Sequence, residues 1–141
     1  MHTSRSSVLV LAVVLAGSVS AQALAPLPKT MSGRWTYLGK RTSSDVMSVV
    51  IDGDGTPGAV TGRLTLRANN CGASDEPFKG TWNGTELSFA ATLRTNVNTQ
   101  RADMDCPSDA TKFILTRKPG QTSFEGDASA STGAFQVTLT P

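Results

Sequence analysis

Hydrophobic and polar residues alternate along the chain from residue 33 onward, and the clearest case is residues 78–93. The pair Asn83-Gly84 inside this stretch predicts a β-hairpin, because a type I′ turn needs two residues that tolerate positive φ. A two-residue turn there pairs Trp82 with Thr85 and places every second residue on the same face. The predicted core face carries Phe78, Gly80, Trp82, Leu87, Phe89, Ala91 and Leu93. The opposite face is polar, so the hairpin is expected to cover a core on one side only.

The same period-two alternation predicts six further strands on either side of this hairpin. They cover residues 33–38, 46–51, 60–67, 111–117, 122–129 and 135–139, and no segment has a helical period. Short turns separate most of the strands, while residues 69–77 and 95–110 are expected to be longer polar loops. Eight antiparallel strands with local connections predict an all-β fold. The simplest form is an up-and-down barrel, which leaves no exposed edge, and a β-sandwich is the alternative.

The beginning of the chain has the features of a secretory signal peptide. Arg5 is followed by an uncharged apolar run over residues 8–16, and an A-x-A cleavage pattern ends at Ala23. The run is too short to span a bilayer, so a membrane anchor is the weaker alternative. We therefore expect a secreted or periplasmic protein. Its predicted organisation is a signal peptide over residues 1–23, an extended lead-in over 24–32 and one β-barrel domain over 33–141.

The chain contains two cysteines, Cys71 and Cys106. In an exported protein an even pair is typical of a disulfide, and two free thiols are the alternative. Connections in an up-and-down barrel alternate between its two ends. The connections after the third and fifth predicted strands contain the two cysteines, so both lie at the same end and can be joined.

We expect thiol labelling of the denatured, unreduced protein to give no signal, because both sulfur atoms are predicted to be in the disulfide. Labelling after reduction is the positive control. Two labelled thiols without reduction would show that Cys71 and Cys106 are free.

Charge and composition exclude several classes of function. The net charge is only +2, which implies neither nucleic acid nor an anionic membrane as partner. The single histidine, His2, lies in the predicted leader, so the mature chain has no Ser-His-Asp triad and no histidine-ligated zinc. P-loop and dinucleotide-binding motifs are also missing from the sequence. We expect no cofactor, no metal and no enzymatic activity; hydrolysis by paired carboxylates is the one catalytic alternative left open.

Two groups of residues are candidates for binding. The aromatic group faces the predicted interior and consists of Trp35, Tyr37, Trp82 and Phe89. The charged group lies near the cysteines and consists of Asp75, Glu76, Arg94, Arg101, Asp103, Asp105 and Asp109. Such a cluster can bind a cation, position a sugar or act as acid and base, while a solvated, charge-balanced loop is the alternative. Long loops in compact domains often serve binding, so the end with the cysteines is the predicted location of function.

Residues 32–39, Ser-Gly-Arg-Trp-Thr-Tyr-Leu-Gly, resemble the first strand of the avidin family, where a Gly-x-Trp motif opens an eight-stranded ligand-binding barrel. Lipocalins share this motif. The likeness continues through Asp54-Gly55 and Val60-Thr61-Gly62. Avidin-like proteins then place a biotin-binding tyrosine where this chain has Leu64, and their later biotin-site tryptophans have no match. The resemblance implies a calycin-like barrel and argues against biotin as the ligand.

The sequence therefore predicts a non-catalytic binding protein that holds a small apolar or amphipathic ligand inside a calycin-like barrel. The alternative is a protein-binding module, such as an inhibitor of a secreted hydrolase that inserts residues 24–31 into its target. Trp35 also has a second interpretation, because the corresponding tryptophan of the resembled barrels plugs one end as core. No particular ligand, partner or oligomeric state follows from the sequence.

Overall fold

A computed structural model describes residues 25–38, 44–68, 72–94, 108–130 and 133–141, in which all regular structure is β-strand. The strands are β1 (Thr30–Tyr37), β2 (Ser44–Ile51), β3 (Gly58–Ala68), β4 (Gly72–Trp82), β5 (Glu86–Arg94), β6 (Ser108–Thr116), β7 (Phe124–Ala130) and β8 (Gly133–Thr140). Each strand pairs antiparallel with the next, and β1 also pairs with β8. The sheet thus closes into an eight-stranded up-and-down barrel, which confirms the predicted fold and shows that the sandwich alternative is wrong.

The inward-facing side chains of the strands form one hydrophobic core. In its middle, the rings of Phe78, Phe89 and Phe113 pack against one another across three neighbouring strands. Ring centroids are 4.4 Å apart for Phe78 and Phe89 and 4.6 Å apart for Phe89 and Phe113. Phe124 and Phe135 are also buried, so all five phenylalanines of the chain lie in the core, as the alternation predicts.

Inward-facing glycines make room for these rings. A Cβ atom on Gly62 would lie 2.6 Å from the ring of Phe78, and one on Gly80 would lie 2.5 Å from the Cβ of Phe89. Both distances are shorter than van der Waals contact, so larger residues do not fit at either position. Small inward residues can allow a sheet to bend or can leave a cavity. Here the space beside Gly62 and Gly80 is filled by phenylalanine side chains.

The β4–β5 hairpin has the predicted faces but not the predicted register. Trp82 pairs with Leu87 rather than with Thr85. The turn is centred on Gly84-Thr85, and Gly84 has a φ of +94°, as the first central residue of a type II′ turn requires. Asn83 stabilises this turn, since its Oδ1 accepts a hydrogen bond of 2.9 Å from the backbone N–H of Thr85. Each β4 residue therefore pairs with a β5 residue two positions beyond the predicted one, and a shift of two leaves every side chain on its predicted face.

The N-terminal segment closes one end of the barrel, here called the capped end. The N–H of Leu27 donates to the carbonyl of Gly55 at 2.9 Å, and the Leu27 side chain is buried in the core. Arg117 donates to the carbonyl of Ala25 at 2.7 Å, which fixes the start of the segment. β1 begins at Thr30, so the last residues of the predicted lead-in already belong to the barrel.

The opposite end, here called the distal end, differs from the prediction at β4. Residues 69–77 were expected to form a loop, but β4 begins at Gly72 and pairs with β3 as far as Ala68. The expectation was wrong because polar residues on a barrel rim can face solvent while their backbone stays paired. Cys71 and Cys106 lie outside the described residues, and so does the predicted disulfide. The strand ends that flank both cysteines lie at the distal end, as strand parity predicts.

Candidate functional site

The four aromatic candidates lie at different levels of the barrel. Trp35 and Tyr37 are near the distal end of β1, Phe89 is in the middle of β5, and Trp82 is at the capped end of β4. Trp35, Trp82 and Phe89 are each at most 2% exposed. Trp35 packs edge-on against Phe135 with ring centroids 5.4 Å apart. These contacts are those of a packed core, and the four residues do not converge on one point.

The charged candidates on β4 point in opposite directions. Asp75 faces solvent and forms an ion pair with Arg63 at 3.1 Å, with the two side chains 60% and 56% exposed. A pair this exposed contributes at most about 1 kcal/mol. Glu76 faces inward at the rim, where its Oε1 accepts a hydrogen bond of 3.3 Å from the Ser74 hydroxyl. The two carboxylates therefore do not act as one acidic cluster.

Two further charged candidates, Arg94 and Asp109, lie on strands at the distal end. Arg94 is exposed at the end of β5, and Asp109 occupies the position in β6 that pairs with Leu93. The other members of the predicted cluster lie outside the described residues: Arg101, Asp103 and Asp105. Within the described residues, no group of three His, Cys, Asp or Glu side chains is close enough to hold a metal ion.

The ladder between β4 and β5 is interrupted over part of its length. The paired register ends at Lys79↔Ala90. Toward the distal end the N–H of Arg94 donates to Ser74 Oγ at 2.9 Å. Pro77 lies between these two contacts and has no N–H to give to a β-ladder. β4 stays paired with β3 along its whole length, so the interruption is confined to the β4–β5 side.

A cleft of about 470 Å³ lies on the outer wall beside this interruption, and we call it the wall cleft. Its lining is mainly apolar and includes Pro77, Phe78, Ala90, Ala91 and Ala110. Phe78 and Ala91 are buried residues of the core face. The apolar surface that the cleft offers to solvent therefore comes from the exposed residues Pro77, Ala90 and Ala110.

The rim of the wall cleft is polar. Thr61 donates its hydroxyl proton to Asp52 Oδ2 at 3.0 Å, and Thr92 lines the β5 side. Lys79 lies on β4 directly opposite Thr61 of β3, and it has no ion pair within the described ranges. An apolar floor with a few polar groups at the edge is the usual composition of a small-molecule site.

The sequence pattern did not single out these residues. Lys79 and Ala90 alternate with the predicted core face and are exposed as this pattern predicts, but nothing in the sequence marks their face as a binding surface. The one available signal is Pro77, since a proline inside a strand is confined to edges and bulges. That signal could be interpreted only if residues 72–77 were known to be strand rather than loop.

A second cleft, of about 560 Å³, lies at the capped end beside Gly84, Arg117 and Gln121. The charged side chain in its lining, Arg117, already has partners within the protein. Arg117 donates to the carbonyl of Ala25 at 2.7 Å, and its guanidinium carbon lies 5.0 Å from the centroid of the Trp82 ring. Through these contacts Arg117 holds the N-terminal segment against the barrel, so its position is explained without a ligand.

One described carboxyl has a shifted pKa. The pKa of Asp54 lies below its usual value, because Asp54 Oδ1 accepts hydrogen bonds from the backbone N–H of Thr56 at 3.1 Å and from its hydroxyl at 2.9 Å. This is the geometry of an Asx turn. The carboxylate therefore serves to order the β2–β3 connection, outside the wall cleft.

Comparison with protein-family models, curated proteins and solved structures finds no match for this chain. In the part of the chain that the structure describes, no helix qualifies by length and hydropathy as a membrane span. Function is therefore inferred from the geometry of the barrel and its surface.

Proposed function

We propose that this chain is a secreted or periplasmic, non-catalytic binding protein that takes a small amphipathic ligand in the wall cleft. The observation that carries the proposal is the mainly apolar cleft on the outer wall, beside the interruption of the β4–β5 ladder, whose exposed apolar residues are Pro77, Ala90 and Ala110. Its volume of about 470 Å³ falls among small-molecule sites, which span roughly 300–1,000 Å³.

The wall cleft suits a ligand better than the barrel axis does. A ligand on the axis would have to separate the packed rings of Phe78, Phe89 and Phe113, whose centroids are 4.4 Å and 4.6 Å apart. Separating close-packed core side chains is costly because their mutual contacts are lost. In the wall cleft, an apolar group contacts the exposed side chains of Pro77 and Ala90 and leaves these rings in place.

Two features of the sequence support a binding role outside the cytoplasm. The predicted signal peptide over residues 1–23 supports export. The Gly-x-Trp start at Gly33 and Trp35 resembles avidins and lipocalins, whose barrels bind small ligands. The resemblance supports the class of function and not the position of the ligand.

The alternative of a hydrolase inhibitor has weaker support. It required residues 24–31 to insert into a target protein. Leu27 and Met31 are only 3% and 1% exposed, because both side chains belong to the core of their own barrel. Insertion into another protein would remove two hydrophobic side chains from that core at a cost of several kcal/mol.

Replacing Ala90 with phenylalanine is expected to weaken binding of N-phenyl-1-naphthylamine, a neutral fluorescent amphiphile, by about tenfold or more. Ala90 is exposed and lines the wall cleft, so the new ring would occupy space that the ligand needs. A tenfold change corresponds to about 1.4 kcal/mol, which is less than the burial of one large apolar group. Fluorescence titration of the purified protein measures the effect.

The matched control is Ala134→Phe on β8. Ala134 is also exposed and faces outward, but it does not line the wall cleft. This variant should bind the probe as the unmodified protein does. Equal affinities for the Ala90→Phe and Ala134→Phe variants would place the ligand elsewhere.

A further inference from the structure

One cation on the rim of the wall cleft has no ion-pair partner within the described ranges, and its position identifies a class of ligand. Lys79 pairs with Ala90 in the last β4–β5 pair before the ladder is interrupted. Arg63, which lies on the neighbouring strand, is already paired with Asp75 at 3.1 Å. Building on the proposed function, we propose that the wall cleft takes an anionic amphiphile such as an alkyl carboxylate. Its chain lies on the exposed apolar residues Pro77, Ala90 and Ala110, and its carboxylate meets the ammonium group of Lys79.

The acidic residue of the rim is farther from the apolar floor. Asp52 follows β2, and both its backbone N–H and its carboxylate bond to Thr61 of β3 at 3.0 Å. Thr61 in turn pairs with Lys79 of β4. Since neighbouring strands are about 4.8 Å apart, Asp52 lies one strand beyond Thr61, whereas Lys79 pairs with Ala90 of the apolar lining. The charge beside the floor is therefore positive.

Thr92 adds a donor on the β5 side of the wall cleft. Its side chain is exposed and lines the cleft, and its hydroxyl can donate a hydrogen bond. Lys79 and Thr92 thus supply donors from both sides of the cleft. A carboxylate head group only accepts hydrogen bonds, which matches this arrangement.

The closed sheet favours a small molecule over a peptide. β4 pairs with β3 along its whole length, and β5 pairs with β6 from Glu86 to Arg94. An added β-strand would need a continuous free edge on which to form main-chain hydrogen bonds. The described strands form a closed barrel without such an edge, so an extended peptide has no ladder to join.

The experiment displaces N-phenyl-1-naphthylamine with octanoate, octanol or octylamine at low ionic strength. The unmodified protein is compared with the Lys79→Gln and Asp52→Asn variants. We expect octanoate to bind about fivefold more tightly than octanol, because an exposed ion pair contributes up to about 1 kcal/mol. Lys79→Gln should remove this advantage, added salt should reduce it, and Asp52→Asn should preserve it.

Two results overturn the anion proposal while leaving the proposed function intact. One is equal displacement by all three compounds, and the other is a preference for octylamine that depends on Asp52. In both cases octanol still displaces the probe, so an amphiphile still binds the cleft. If the probe does not bind the unmodified protein at all, the proposed function itself fails, and the anion proposal fails with it.

Discussion

Replacing Trp82 with alanine is expected to lower the free energy of unfolding by about 4 kcal/mol. Trp82 is 1% exposed, and its ring packs against Phe124 with centroids 5.8 Å apart. It also supports Arg117, whose guanidinium carbon lies 5.0 Å from the ring centroid and which holds the carbonyl of Ala25. Alanine would leave a cavity at the capped end and would weaken the contact by which Arg117 holds the N-terminal segment. Urea unfolding followed by circular dichroism measures the loss.

A Trp82→Phe variant separates the contribution of ring packing to stability from the contribution of the indole N–H. Trp82 Nε1 is buried and has no hydrogen-bond partner among the residues that the structure describes. An unsatisfied buried donor costs about 1–3 kcal/mol, and phenylalanine removes that donor while keeping an aromatic ring in place. We therefore expect a loss of about 1 kcal/mol or less. Equal losses of unfolding free energy for the alanine and phenylalanine variants would show that ring packing does not account for the effect. A loss below about 1 kcal/mol for Trp82→Ala would show that the inward face of the hairpin is not part of the core.

The barrel could be predicted because the signals that specify it are local. β5 shows this directly, since Leu87, Phe89, Ala91 and Leu93 alternate with polar or small residues and all four are buried. Each strand carries its own inward pattern, and short turns leave few ways to connect eight such strands. Closure follows because an open sheet would expose two edges.

Register and strand length could not be predicted in the same way, because they depend on contacts between strands. A turn on Asn83-Gly84 and a turn on Gly84-Thr85 give the same faces, so hydrophobic alternation does not distinguish them. The side chain of Asn83 decides between them by capping the second turn. Residues 72–77 have low β-propensity, yet pairing with β3 holds them in a strand.

The candidate site was predicted least well. Aromatic residues on an inner face have the same pattern whether they contact a ligand or one another. Trp35 and Trp82 pack as core at opposite ends of the barrel, and the sequence spacing did not show that separation. The wall cleft is lined by residues from four strands, β3 to β6, whose proximity becomes visible only when the strands are in place.

The second large effect is expected for Gly126→Ala, which should lower the free energy of unfolding by about 3 kcal/mol. Gly126 faces inward on β7, and a Cβ atom there would overlap with the carbonyl oxygen of Ile114 and lie 3.0 Å from the Cα of Leu115. Both are backbone atoms of β6, which is also held by β5 on its other side. β6 cannot yield as a side chain would, so β7 must move away and the barrel closure is strained.

Gly53→Ala is the control, because it replaces a glycine by alanine at a site where the added Cβ causes no steric clash. Gly53 has a φ of +82°, but no atom lies within 4 Å of an added Cβ. Alanine at Gly53 therefore carries only the conformational cost of the left-handed region, about 1 kcal/mol. Chemical denaturation of both variants should show a clearly larger loss for Gly126→Ala. If the two losses are equal, the close approach of β7 to β6 does not limit the fold, and the strands can separate at Gly126 without strain.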